Sequence, residues 1–150
     1  MKKLFIYYSL SGNGDVVADY LKSKKIDIRK VIVKDRLPKS YFGQILTGGF
    51  LAGINYKAKL DNFDYNLNNY DEIIIGSPIW NGKLSCPINT VLDKIDFSNK
   101  NISFILWSGS GSVPKAEKKI KNLFNNVNII ILKEPKKNIG EMVDKVNQLI

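Results

Sequence analysis

Along the chain, short runs of apolar residues alternate with longer stretches in which apolar positions recur every three or four residues. The short runs cover residues 3–8, 28–33, 73–75, 101–107 and 127–132, and β-branched or aromatic side chains dominate them. A strand that is apolar at successive positions suits a sheet covered on both faces. Between the runs, Val16, Val17, Tyr20 and Leu21 share one helical face over residues 15–22. Ile88, Val91, Leu92 and Ile95 form a stripe behind Pro87, a good first-turn residue. Ala116, Ile120, Leu123 and Phe124 face inward over a lysine-rich helix at 114–125. Asn138 stands where it caps a last helix, with Glu141 three residues on and Ile139, Met142, Val143, Val146 and Leu149 to one side. A glycine-loosened helix is expected over 34–54 and a polar loop over 55–69. Gly76 and Pro78 are expected to end the central strand, because proline offers no N–H to a ladder. Strands alternating with helices through short connections force right-handed crossovers, hence a parallel sheet with helices on both faces in a single domain over residues 1–150.

The connections that follow the first, third and fourth strands are rich in small polar residues. They hold Ser9, Leu10, Ser11, Gly12, Asn13 and Gly14, then Ser77, Pro78, Ile79, Trp80, Asn81 and Gly82, then Ser108, Gly109, Ser110, Gly111 and Ser112. All three leave the carboxyl ends of their strands, where open α/β sheets take ligands. The first leads into a helix, whose orphan N–H groups make an anion cradle to which Ser9, Ser11 and Asn13 add donors. An ordinary turn capped by Asn13 or Ser11 reads equally well from these residues alone. Two phosphate signatures fail. Five residues separate Gly76 from Gly82, where a Walker A loop needs four, and Leu84 follows Lys83. Neither Gly12-x-Gly14 nor Gly109-x-Gly111 has the third glycine of a dinucleotide fingerprint.

Composition narrows the chemistry. With no histidine, Ser-His-Asp and Cys-His catalysis and imidazole metal sites are excluded. Cys86 is the single cysteine, so no internal disulfide forms; together with the absence of a signal-like apolar run at the start, this leads us to expect a cytoplasmic location. No apolar stretch is long enough to span a bilayer, and no membrane association is expected. The net charge is +9, yet only Arg29 and Arg36 among the 23 basic residues are arginines. Nucleic-acid readers lean on arginine, and the lysines are spread along the chain with dense runs at 115–121 and 133–137. A solvated lysine surface is therefore expected, and no nucleic-acid partner.

The stretches YYSLSGNG and YDEIIIGSPIWNGKLSCPI resemble the phosphate loop and the flavin-ring loop of short bacterial flavodoxins, and the likeness extends over nearly the whole chain. The resemblance implies a flavodoxin-like three-layer sandwich with a five-stranded parallel sheet in the order 2-1-3-4-5, and FMN as cofactor. Carried over position by position, it implies that residues 9–14 wrap the FMN phosphate, that Trp80 lies against the flavin ring, and that the Asn81-Gly82 peptide faces the ring nitrogen protonated on reduction. It further implies that residues 108–111 line the pyrimidine edge of the ring. One departure stands out: the family's phosphate loop usually ends in threonine, and here Gly14 stands in its place. The implied function is electron transfer between redox partners, with an acidic partner protein favoured by the charge. A small FMN-dependent NAD(P)H or quinone reductase, or a flavin-free binding module of the same fold, are the other readings. No catalytic side chain and no metal site are assigned.

Overall fold

The computed structural model describes residues 1–34 and 57–150, so the helix expected over 34–54 lies, Lys34 excepted, outside the described residues. The described elements are β1 (Lys3–Tyr7), α1 (Asn13–Ser23), β2 (Asp27–Lys30), β3 (Glu72–Trp80), β4 (Lys83–Leu84), α2 (Cys86–Lys94), β5 (Asn101–Ser108), α3 (Pro114–Leu123), β6 (Asn128–Lys133) and α4 (Ile139–Val146). Five strands pair in parallel in the order β2-β1-β3-β5-β6, which is the expected 2-1-3-4-5 once the two-residue β4 is set aside.

Because side chains alternate across a strand, successive residues of each apolar run serve opposite faces. Leu4, Ile6, Ile73, Ile75, Phe104 and Leu106 pack under Ile88 and Val91 of α2 and Ala116 and Ile120 of α3. Phe5, Tyr7, Ile74, Ile105 and Trp107 pack under Val17 and Leu21 of α1 and Met142 and Val146 of α4. The apolar runs are continuous for this reason: each face has its own helical layer. Burying one such side chain contributes about 1.5–3 kcal/mol. Among the described residues no helix is long and apolar enough to cross a membrane.

The central strand does not end at Gly76. It continues through Pro78, which pairs with Trp107, to Trp80. The carbonyl of Gly76 accepts from the Tyr8 N–H at 3.2 Å, so residue 76 points its polar groups toward β1, and residue 78, two positions on, points the same way. Beyond Tyr7 there is no β1 left to receive an N–H from position 78, so proline breaks no ladder bond there. Gly76 serves packing rather than termination. A Cβ there would come within 2.5 Å of Phe5 Cζ, whose ring stacks on that of Tyr7.

Other boundaries also move. The second strand stops at Lys30, four residues long at the sheet edge; Val31 still donates to Tyr7 O at 2.7 Å, and Val33 bridges to Leu60 instead. The third helix ends at Leu123, since Phe124 is extended and Asn126 has φ 54°. Asn138 occupies the N-cap position of α4 but turns its side chain backward, donating to Lys133 O at 2.7 Å, while Glu141 pairs with Lys145; no capping box forms.

Candidate functional site at the carboxyl edge

Parallel strands end together, so the loops after β1, β3, β5 and β6 meet along one edge of the sheet. The first loop is drawn tight by its own side chains. Ser9 Oγ accepts the Gly14 N–H at 3.0 Å, and Gly12, with φ 88°, turns the chain into α1 at the N-cap position proposed for Asn13 or Ser11. Asn13 Nδ2 donates to Ser11 Oγ at 3.1 Å, which occupies a lone pair and leaves the Ser11 proton to donate elsewhere. Beneath the loop, Asp15 accepts from Tyr7 Oη at 2.8 Å and Lys30 Nζ at 2.6 Å. Burial alone would raise the Asp15 carboxyl, but the bonds from Lys30 and Tyr7 and the Lys30 charge outweigh it and hold it below the usual carboxylate range. Burial, then the bond to Asp15, pushes the Tyr7 phenol far above its ordinary value.

Gly14 has a packing reason. A Cβ there would lie 2.8 Å from Trp107 Cζ2 and 2.9 Å from Ser9 Cβ. Trp107, buried in the sheet layer, thus takes the space into which the resembled family's threonine would project.

The second connection is a two-residue hairpin rather than a loop that leaves the sheet at Gly76 and Pro78. Asn81 (φ 49°) and Gly82 (φ 73°) are both left-handed, the signature of a type I′ turn, and Trp80 pairs with Lys83 across it. That turn matches the twist of its flanking strands, which is why a proline-containing segment still folds as a strand. Ser77 is fully buried, with its Oγ accepting from Ser85 N at 3.1 Å, so it anchors the hairpin to the start of α2 from below. Pro78 is buried too; Ile79 and Trp80 are half-buried and Asn81 is exposed at the tip. The Trp80 ring meets Tyr8 edge-on at 5.8 Å and packs against the buried pair Ala58 and Cys86, tying the hairpin to the first loop. Cys86 is buried, and burial pushes its thiol up, the reverse of an activated nucleophile.

The third loop is bonded to itself: Gly111 N donates to Ser108 Oγ at 3.0 Å and Ser112 N to Ser110 Oγ at 3.2 Å. A Cβ on Gly109 would meet nothing within 4 Å, so space lies beside it, while Lys115 Cδ stands 3.2 Å from where a Gly82 Cβ would be. The hairpin tip therefore neighbours the first turn of α3, the helix into which the third loop leads.

A fourth loop, over residues 134–138, escaped the sequence reading. Lys136 N donates to Asn13 Oδ1 at 3.0 Å, across 123 positions of chain, and Lys136 Nζ stands 3.6 Å from the Cβ position of Gly12. The signal was available in principle: the lysine run at 133–137 follows directly on a strand's carboxyl end. Reading it as solvated surface hid its place beside the first loop.

Among the described residues no group of three His, Cys, Asp or Glu side chains is placed to hold a metal. A groove of about 860 Å³ opens at the opposite, amino edge beside Phe97, Ile102 and Phe124. It lies away from all four loops.

A family model described as Flavodoxin matches residues 54–146, more than half of the chain. A solved flavoprotein from Lactobacillus acidophilus NCFM, in complex with FMN, is 27% identical, with 86% of this chain and 89% of that one covered at a TM-score of 0.67. The apo form of the flavoprotein from the same organism is 26% identical, covering 86% and 88% at a TM-score of 0.56. A putative flavoprotein from Bacteroides eggerthii DSM 20697 shares the fold at a TM-score of 0.75, with 19% identity over 95% of this chain and 96% of that one. No curated protein matches the chain.

Proposed function

This chain belongs to the flavodoxin family, and from that premise we propose that it binds FMN along the carboxyl edge and carries electrons between redox partners in the cytoplasm. One observation carries the reading: the start of α1, the Asn81-Gly82 tip and the space beside Gly109 stand along one edge, where the Tyr8–Trp80 contact joins the first loop to the hairpin and Lys115 of α3 stands beside the hairpin tip. A phosphate fits the helix start, where the dipole favours an anion and the Ser11 hydroxyl, accepting from Asn13, keeps its proton to donate. A flat ring fits the tip and the open side of Gly109, where backbone rather than bulk lines the approach. The solved relative bound to FMN supports the same cofactor here.

FMN, when bound, supplies the storage and release of electrons; the chain binds it, orients it and limits water around it. The carrier role is favoured over a reductase by the state of the titratable groups nearby. Asp15 is committed to Lys30 and Tyr7, and burial raises the phenols of Tyr7 and Tyr8, so none of these three is poised to exchange a proton with a substrate near neutral pH. The direct test is purification from cells supplied with riboflavin: a yellow protein that releases FMN, identified by mass, on denaturation. Colourless protein that fails to take up added FMN in a fluorescence titration would sink the proposal.

A further inference from the structure

The two ends of α1 both carry lysines, but electrostatics favours them at one end only. Lys22, Lys24 and Lys25 cluster at the carboxyl end, where the helix dipole favours cations. At the amino end, where the dipole disfavours a cation, the structure nevertheless brings one in from the other side of the chain. The Lys136 backbone is pinned to Asn13 Oδ1, and its exposed ammonium stands 3.6 Å from the Cβ position of Gly12. The loop that carries it is stiff: Glu134 N bonds Ser108 O, Lys137 N bonds Glu134 O, and Glu134 itself has φ 40°. Carboxylates in reach are already engaged, Glu134 with Lys137 and Asp15 with Lys30. Among the described residues Lys136 enters no ion pair. A positive helix end and an uncompensated ammonium set side by side repel each other until an anion lies between them.

We propose that Lys136 is the charge partner of the flavin phosphate and sets the chain's preference for FMN over the phosphate-free flavin. The assignment rests on the FMN reading above. It also accounts for Gly14: with Trp107 closing that position to a hydroxyl side chain, the missing donor is replaced by a cation from the fourth loop.

The test compares FMN with riboflavin, which lacks only the phosphate, by fluorescence titration of the wild type, Lys136→Gln and Lys136→Arg, each at low and high salt. Lys136→Gln should lose roughly tenfold in FMN affinity, the lower end for a charge-assisted bond at an exposed site, and leave riboflavin affinity within about twofold. Its FMN affinity should also depend less on salt, and Lys136→Arg should stay near wild type. In ³¹P spectra, the phosphate of FMN bound to Lys136→Gln should titrate at higher pH than in the wild type, a change that a purely structural role would not produce. If the wild type binds FMN and Lys136→Gln loses nothing, or loses FMN and riboflavin alike, Lys136 is not the phosphate partner and the FMN reading stands. If the wild type binds neither flavin, both fall.

Discussion

The two edges of the sheet handle charge in opposite ways. At the amino edge, cations meet carboxylates: Lys2 pairs with Asp27 at 2.9 Å and Lys3 with Glu72 at 3.0 Å, and the Lys2 N–H donates to Asp71. Lys100 ends the edge by donating to Tyr70 O. At the carboxyl edge, Lys115, Lys133 and Lys136 stand beside Gly82, Gly111 and Gly12 respectively, and none of them is in an ion pair among the described residues. Positive φ occurs at both edges, at Gly12, Asn81, Gly82, Gly111 and Glu134 on the carboxyl side and at Lys25 and Asn126 before β2 and β6 on the amino side, so the contrast lies in the charges. At the amino edge these pairs use up the cations they involve, which serves stability. The carboxyl edge keeps Lys115, Lys133 and Lys136 out of ion pairs, cations that a ligand could use.

The comparison is broken most severely by Gly14→Thr, which gives the carboxyl edge the residue usual in the family. Its Cβ would meet Trp107 Cζ2 at 2.8 Å, and the clash is with a buried ring rather than the end of a flexible chain. Overpacking of this kind costs about 1–3 kcal/mol. Denaturant unfolding should show that loss, and FMN affinity should fall with it. A variant that gains affinity at unchanged stability would mean that Trp107 yields easily and that the edge is not built around it.

Ser11→Ala separates the edges more cleanly. The Ser11 hydroxyl accepts from Asn13 and keeps its proton to donate, so its loss should weaken FMN by roughly ten- to a hundredfold, the range of a hydrogen bond to a charged group. Riboflavin affinity and the unfolding midpoint should hardly change. Equal losses for both flavins in parallel titrations would remove Ser11 from the phosphate contact.

What could be read from the chain alone was whatever periodicity encodes. The apolar runs at 3–8 and 73–75 are continuous because each faces two helical layers, and that pattern survives without knowledge of register. Pro78 was misread because its cost depends on whether β1 is still alongside, which only the Tyr7–Gly76 register reveals. Asn81-Gly82 is a common turn dipeptide, yet the hairpin it closes requires the strand to run on to Trp80. The Gly14 substitution and the arrival of Lys136 at Asn13 belong to tertiary packing. Nothing local to residue 14 announces Trp107, and nothing near residue 13 announces a lysine 123 positions away.

Changes at the amino edge should be smaller and confined to stability. Glu72→Gln removes the partner of Lys3 at a site where both side chains are mostly covered, and should lower stability by about 0.5–1 kcal/mol with FMN affinity unchanged. The acid limb of a pH–stability curve probes the same edge. The bonds from Lys2 and Tyr70 hold the Asp27 carboxyl below its ordinary value. A group whose folded pKa is depressed contributes stability above its unfolded pKa, about 3.9 for Asp, and loses it as pH falls through the folded value. Asp27→Asn should therefore flatten the stability curve on its acid side and leave it parallel to wild type above about pH 5. An Asp27→Asn curve with the wild-type acid slope would show that this edge's ion pairs do not act through Asp27.

The smallest effect concerns an electron-transfer partner, on which the lysines near the hairpin tip would act at a distance. Lys83 follows the hairpin tip and lies outside the proposed flavin contacts, so Lys83→Glu should leave FMN affinity unchanged. If the carboxyl edge steers an acidic redox partner toward the flavin, reversing this charge should slow association roughly two- to threefold at low salt, because long-range attraction acts mainly on encounter. The difference should vanish as salt shortens the screening length to about 8 Å at physiological strength and below that when more is added. Stopped-flow transfer to an acidic electron-transfer protein, measured across ionic strength for wild type and variant, reads both trends together. Rates that stay flat with salt and equal in the two proteins would mean that the positive charge of the carboxyl edge does not steer a protein partner. The partner would then be neutral at its contact surface, and a quinone-reducing role would become the reading to test.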